Sequence, residues 1–275
     1  MKNKLCAAPY LVWMVIFIVV PLGVVAYFAL TTVSMGSQGG SFTLENLAAV
    51  KRYLPIFLNS ISLALIAAVI CLLLGYPVAY VMSRLSPRGQ QFLMMLIMLP
   101  MCMSFLLRTM ALVSLLEDTG VINTLLSHLG IGPLPLIRND GAVVLGMVYN
   151  YLPYMILPLY TVLVKIDPRL IEAAQDLGCD TRQIFTRVLL PLSKPGIISG
   201  FTMVFVPAVS TFYISKKLGG TSTALIGDVI ESQFKTAYNP NLGAAMSLVL
   251  MVIIFVCIWV MNHFTEEEED EVMTL

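Results

Sequence analysis

The chain has 275 residues, 58% of them hydrophobic and 12% charged, with a mean hydropathy of +0.88. Soluble domains carry about 25% charged residues, so lipid rather than water is the expected solvent for most of this chain. Its 16 basic and 16 acidic side chains cancel, which leaves no bulk charge to recruit nucleic acid.

Six runs carry no charge: Leu5–Leu44, Tyr53–Ser83, Gly89–Leu107, Gly141–Val164, Pro195–Ser215 and Thr236–Thr265. Crossing a ~30 Å hydrocarbon core at 1.5 Å per residue takes about 20 mostly apolar residues. The runs therefore predict membrane helices over 8–30, 58–82, 92–116, 142–164, 196–215 and 243–262, in one domain covering 1–275. The expected fold is an all-α polytopic membrane protein. Lys2 and Lys4 precede the first run as they would in a signal peptide, but the run exceeds the ~7–15 residues of such a segment and no A-x-A site follows. A retained helix is expected.

Between the first two spans, "GSQGG" at Gly36–Gly40 reads as a flexible linker, followed by "SFTLENL" at Ser41–Leu47. Prolines stand inside the spans at Pro21, Pro77, Pro100, Pro153, Pro158 and Pro207, where each removes a backbone donor and favours a kink. Cys6, Cys71, Cys102, Cys179 and Cys257 lack metal-type spacing. Four lie in apolar runs and behave as small hydrophobes, so neither a disulfide framework nor a metal centre is expected. His128 and His263 are too isolated to suggest one.

The fourth and fifth spans are separated by a polar insert, "IEAAQDLGCDTRQIFTRVLLP" at Ile171–Pro191. Asp167-Pro168 opens a helix, since Asp caps free N–H groups and Pro suits the first helical position. Leu170, Ala173, Ala174 and Leu177 then share one face. Gly178 can take the left-handed conformation that ends a helix. Asp180 with Gln183 forms a capping-box pattern for a second short helix, with Ile184, Phe185, Val188 and Leu189 as its apolar stripe and Pro191 as its limit. Physics alone leaves two readings open: an amphipathic pair lying on the membrane surface, or a rigid knob that docks into a partner. Beyond the insert, "GIISG" at Gly196–Gly200 has the small-xxx-small spacing that lets helix backbones approach, against the insert or a partner helix. The tail 265–275, with Glu266–Glu271 as "EEEEDE", reads as a solvated end.

Lys and Arg in short loops favour the cytoplasmic side. With both termini inside, the inner segments hold Lys2, Lys4, Arg84, Arg88, Lys165, Arg169, Arg182, Arg187 and Lys194. The outer ones hold Lys51, Arg52, Arg138, Lys216, Lys217 and Lys235. The insert is then cytoplasmic.

That insert resembles the EAA motif of bacterial ABC-importer permeases, EAA-x3-G-x9-I-x-L-P. Here it reads Glu172, Ala173, Ala174, Gly178, Val188, Leu190 and Pro191, with valine in place of the usual isoleucine. "GYPVAYVMSR" (Gly75–Arg84), "LPMCMSFLLRTMAL" (Leu99–Leu112), "YNYLPYMILPLY" (Tyr149–Tyr160), "FVPAVSTFYI" (Phe205–Ile214) and "LIGDVIESQF" (Leu225–Phe234) are similar to spermidine/putrescine permeases. The resemblance implies an inner-membrane permease subunit with Glu172–Pro191 as its coupling segment. It implies a pseudo-twofold heterodimer with a second, PotC-like permease, two PotA-like ATP-binding subunits, and a PotD-like extracytoplasmic polyamine-binding protein. ATP and magnesium would be bound by those ATPase subunits. No phosphate-binding G-x-x-x-x-G-K-[ST] loop occurs in this chain, so neither a cofactor nor catalysis is expected of it.

A polyamine path needs aromatic faces and acceptors for ammonium groups. Tyr151, Tyr154, Phe212 and Tyr213 are candidates for the first, Asn150, Ser210 and Thr211 for the second. Asp228 and Glu231 would attract a cation near the outer end. Arg108 is the single charge inside a predicted span, a functional residue by default. Its sign argues against touching a polyamine, which leaves pairing with carbonyls or a partner's acid, or gating. The alternatives are an ABC permease for another small solute, an ion-driven carrier or channel working alone, and a membrane scaffold. The absence of Asp or Glu from the helix cores weighs against the carrier.

Overall fold

Prolines decide where this chain runs straight and where it turns. The computed structural model describes Tyr10 and residues 12–32, 40–220 and 223–273. Lys2, Lys4, Cys6, the first residues of the expected 8–30 span and most of the Gly36–Gly40 linker lie outside those residues. Helix α1 spans Val12–Ala29. Helix α2 (Glu45–Val50) leads through a 3-10 turn into α3 (Leu54–Arg84). Then come α4 (Pro87–Met98), α5 (Phe105–Leu116), α6 (Val121–His128) and α7 (Asp140–Leu163). The chain ends with α8 (Pro168–Asp176), α9 (Thr181–Val209), α10 (Ile226–Lys235) and α11 (Pro240–Met273). Among the described residues five helices are long and apolar enough to cross a membrane, or six if one bent pair counts as a span.

That bent pair corrects the expected 92–116 span. Helix α4 tightens into a 3-10 turn, Leu99–Cys102, at Pro100. Met103 and Ser104 are extended, and the chain turns by 91° into α5. A proline has no N–H to continue the ladder and crowds the carbonyl four residues back, so the charge-free run holds two directions rather than one helix. The expected 196–215 span also changes at both ends. Helix α9 begins at Thr181 and runs straight through Pro191, which therefore does not limit a separate short helix. It ends at Val209, two residues after Pro207, and the chain restarts as a single π turn at Ser215–Gly219.

Pro77, Pro153, Pro158 and Pro195 lie inside continuous helices, and two further prolines are each preceded by a widened turn. A π turn at Val15–Val19 ends two residues before Pro21, and one at Phe185–Leu189 ends two residues before Pro191. Widening the turn ahead of the proline relieves the clash with the preceding carbonyl.

The core is the contact of α3, α7 and α9. Lipid is as apolar as leucine, so helices in it associate through close packing rather than hydrophobic drive. Helix α3 contributes the buried small residues Ala64, Ala67, Ala68, Cys71 and Ala79, and α7 contributes Met147, Met155, Leu159 and Leu163. Both glycines of the "GIISG" stretch pack inside this chain, on α7, not on the insert or a partner. A Cβ on Gly196 would lie 3.1 Å from the Pro158 carbonyl oxygen, and one on Gly200 would lie 2.8 Å from Met155 Sδ. Helices α1 and α11 pack on each other at the periphery, and α1 leaves Val12, Phe17 and Val20 exposed towards lipid.

Gly196→Val should destabilise by about 1–3 kcal/mol, the usual cost of overpacking a filled contact, because a backbone oxygen cannot step aside. The detergent-solubilised protein should show a lower thermal midpoint than wild type. Gly23→Ala, with nothing within 4 Å of the new Cβ, should leave it in place.

Candidate functional site

The insert forms an elbow built from local caps. Asp167 Oδ1 accepts the Arg169 N–H at 3.0 Å and starts α8. The helix closes where Leu177 N–H donates to the Ala173 carbonyl and Cys179 N–H to the Ala174 carbonyl, at 3.1 and 3.0 Å. Gly178 between them has φ +82°, a conformation costing an L-residue roughly 1–2 kcal/mol. The capping box then starts α9: Asp180 Oδ1 accepts Gln183 N–H at 2.7 Å, and Gln183 Oε1 accepts Asp180 N–H at 3.1 Å.

Behind the elbow α9 is anchored to the membrane domain. Ile184 and Leu189 are buried, and Val188 and Leu190 are half-buried. Phe185 packs edge-on against Tyr76, with centroids 5.4 Å apart, and Tyr76 shares a 3.0 Å hydroxyl hydrogen bond with Ser193. Nothing in the EAA pattern pointed to this Tyr76–Phe185–Ser193 grip. In front of the elbow the surface is bare. Glu172, Ala173, Gly178 and Pro191 are exposed, and Leu177 is 85% exposed. Of the expected stripe Leu170, Ala173, Ala174 and Leu177, only Ala174 is buried. The stripe exists in the sequence but is not covered by this chain.

Two aromatic pairs stand beside the broken spans. The Tyr151 hydroxyl on α7 donates to the Pro207 carbonyl at 3.4 Å, near the end of α9. The rings of Tyr151 and Tyr154 are 6.4 Å apart, and Tyr213 lies 6.1 Å from Phe105 of α5. Lys217 Nζ stands 6.0 Å from the Tyr213 ring, so that face already holds a cation. Asn150 is 1% exposed; its Nδ2 donates to the Gly146 carbonyl at 2.9 Å and to Thr109 Oγ1 at 3.5 Å. Ser210 donates back to the Val206 carbonyl at 3.2 Å, Thr211 is buried, and Phe212 remains exposed. Arg108, in the first turns of α5, is 6% exposed.

Asp228 and Glu231 line a cleft of about 360 Å³ with Lys216, Gly220, Thr223, Ser232 and Lys235, and Glu231 also lines one of about 450 Å³ with Ser210 and Phe212. Neither acid is a bare charge. Asp228 Oδ2 accepts the Leu225 N–H at 3.0 Å and caps α10. Burial pushes its carboxyl above the ordinary value, against the pull of Ser215, the Leu225 N–H and Lys216. The Ser215 hydroxyl bonds to the Phe212 carbonyl at 3.0 Å, and Asp228 Oδ1 has no hydrogen-bond partner. Glu231 accepts from Lys235 at 2.8 Å and Lys216 at 3.3 Å, and the Lys235 bond holds its carboxyl below the usual range. The Lys235 partner stands four residues on, a spacing that neighbours on a helix surface and was open to view in the sequence.

Comparison with known proteins places these features in context. Residues 72–266 match the family described as "Binding-protein-dependent transport system inner membrane component". The chain is 39% identical over 263 residues to the spermidine/putrescine transport system permease protein PotB of Haemophilus influenzae, covering 94% of this chain and 92% of that one. It is 36% identical over 246 residues to PotB of Escherichia coli, covering 88% and 90%. The fold is similar to a chain in the crystal structure of a bacterial ABC transporter involved in the import of the acidic polysaccharide alginate. The TM-score there is 0.74 at 16% identity, covering 97% of this chain and 96% of that one.

A raised carboxyl pKa opposes folding once the group ionises. Asp228 therefore contributes most below its ordinary pKa, and that contribution is lost as pH rises through the raised folded value. Asp228→Asn, which keeps an acceptor for the Leu225 N–H, should raise the thermal midpoint at pH 8, with the gain shrinking towards pH 4. A pH series of melting curves on both proteins checks this.

Proposed function

Because this chain belongs to the family of binding-protein-dependent transport system inner membrane components, we propose that it is the permease subunit of an ATP-binding-cassette importer for polyamines, moving spermidine and putrescine across the cytoplasmic membrane. One observation carries the coupling part of this reading: a doubly capped elbow presents Glu172, Ala173 and Leu177 on a face its own chain leaves uncovered. A slack loop would not be capped at both helices. The family context adds the partner: an ATP-binding subunit whose cleft receives the knob. Two such PotA-like subunits bind ATP and magnesium, a PotC-like permease supplies the other half of the path, and a PotD-like protein delivers cargo outside. This chain itself is non-catalytic, with both termini and the elbow on the cytoplasmic side.

The geometry gives the elbow a lever. Helix α9 is unbroken over 29 residues, a rod of about 43 Å. One end carries Glu172–Gly178 through the capping box. The other ends at Val209, two residues past Pro207, whose carbonyl receives the Tyr151 hydroxyl. Closure of the ATPase pair on the elbow displaces α9 along or about its axis and pulls on Tyr151, with Tyr154 beside it. Discontinuous spans meeting inside a membrane protein are the places where transported solutes bind, and aromatic faces suit ammonium groups. Asp228 and Glu231, engaged by a cap and by lysines, act as screened rather than free acids at the cleft by α10.

Glu172→Lys should leave the chain in the membrane while removing most of the ATPase stimulation by cargo-loaded binding protein in the reconstituted transporter. Stimulation equal to wild type would sink the coupling assignment. In the same vesicles spermidine and putrescine should stimulate hydrolysis and be taken up, whereas alginate oligosaccharides and neutral amino acids should not.

A further inference from the structure

Arg108 is a place where this chain is chemically unfinished. It is 6% exposed, and its Nε and Nη1 are buried without a hydrogen-bond partner among the described residues, leaving Nη2 as the nitrogen not enclosed. Pairing with carbonyls of its own chain, open on sequence grounds, is thereby excluded at these two atoms. Arg84 also buries two unpartnered nitrogens, but its guanidinium stands 5.5 Å from the Tyr80 ring. A buried guanidinium without a counter-charge is among the costliest groups a protein can hold. The surroundings add positive potential: Arg108 is the fourth residue of the 12-residue α5, where the helix dipole has its positive end. Asn150, whose amide reaches Thr109, the residue after Arg108, also keeps its Oδ1 buried and without a partner among the described residues.

The position on α5 shows where the missing charge must come from. Phe105, Thr109 and Val113 face the core or its edge, whereas Ala111 and Leu115, three and seven residues after Arg108, are exposed. Arg108 thus stands on the border between the buried and the uncovered side of the helix. Leu107, Met110 and Ser114 continue that uncovered side. Lipid tails offer no anion at this depth, and intramembrane charges face protein or water rather than lipid.

We propose that Arg108 receives at its open Nη2 a carboxylate from the second permease subunit, an Asp or Glu laid against the Ala111–Leu115 side of α5, whose charge also compensates the enclosed Nε and Nη1. This rests on the reading above that the chain works as half of a permease pair, and it names the chemistry of that contact. The pair joins the two halves at the break between α4 and α5. Since Arg108 offers that carboxylate the same charge as a cargo ammonium, a passing polyamine competes for it. The contact is therefore strongest in the empty transporter and loosened by cargo.

The test uses the full transporter, coexpressed with its second permease and ATPase subunits, carrying an affinity tag on this chain. Arg108→Glu should retain at least about tenfold less second permease than wild type through a warm detergent wash, and Arg108→Lys close to the wild-type amount. Reversing single membrane-embedded acids of the second permease to Lys should restore retention in Arg108→Glu at one position, which a folding defect would not allow. Retention by Arg108→Glu equal to wild type overturns the pairing, and so does a loss that no reversal restores. A wild-type chain that brings down no second permease removes the permease-pair reading as well; a wild-type chain that does, beside an equally competent Arg108→Glu, removes the pairing alone.

Discussion

Met155 is the wedge on which the arrangement depends. It stands on α7 with glycines closing on it from both sides. A Cβ on Gly75 of α3 would approach its Cγ to 3.1 Å, and one on Gly200 of α9 would approach its Sδ to 2.8 Å. In lipid no solvent entropy drives helices together, so contact has to be won by fit. Two missing side chains and one long flexible one provide it. With α3, α7 and α9 locked at this point, Tyr151 falls one turn earlier on α7, within reach of the Pro207 carbonyl. Tyr76 lies next to Gly75 on α3 and meets Phe185 and Ser193 near the start of α9. The elbow and the Tyr151–Tyr154 pair are thus held by opposite ends of one rod whose middle is clamped.

The elbow was legible because its determinants are neighbours in sequence. Asp167, Gly178, Asp180 and Gln183 each act on backbone groups within about five residues, and every one takes the conformation or bond its position implies. The family resemblance rested on the same residues. Direction was far harder to read. A charge-free run reports length, and Pro100, Pro191 and Pro207 look alike in it, yet they produce a 91° bend, a smooth π turn and a helix end. Which of these a proline makes depends on what stands beside the freed carbonyl in the folded protein. The Leu170–Leu177 stripe shows a related limit, since amphipathicity shows that a face wants covering and not what covers it.

Charge in this protein is placed by the same economy. Surface cations and acids answer one another locally, as Lys216 and Lys235 answer Glu231. Asp228 is spent on the cap of α10, and Thr223 donates to Asp140 to tie the start of α7 to the segment before α10. Ser60 of α3 accepts the Ile226 N–H at 2.8 Å and so seats the first turn of α10. Most of these polar groups hold pieces of chain in register. The elbow face and Arg108 differ in that the described residues leave the one uncovered and two nitrogens of the other unpaired.

The π turn at Phe185–Leu189 has a geometric consequence for the whole rod. It holds one residue more than the α turn it replaces, and one residue is about 100° of rotation. The azimuth at which Gly196 and Gly200 meet α7 is therefore offset from the azimuth of the capping box by that extra step. Deleting a single residue there would swing both glycines off α7, jamming the clamp while every side chain at either end stayed intact. The phase of this helix, as much as its chemistry, keeps its two ends in correspondence.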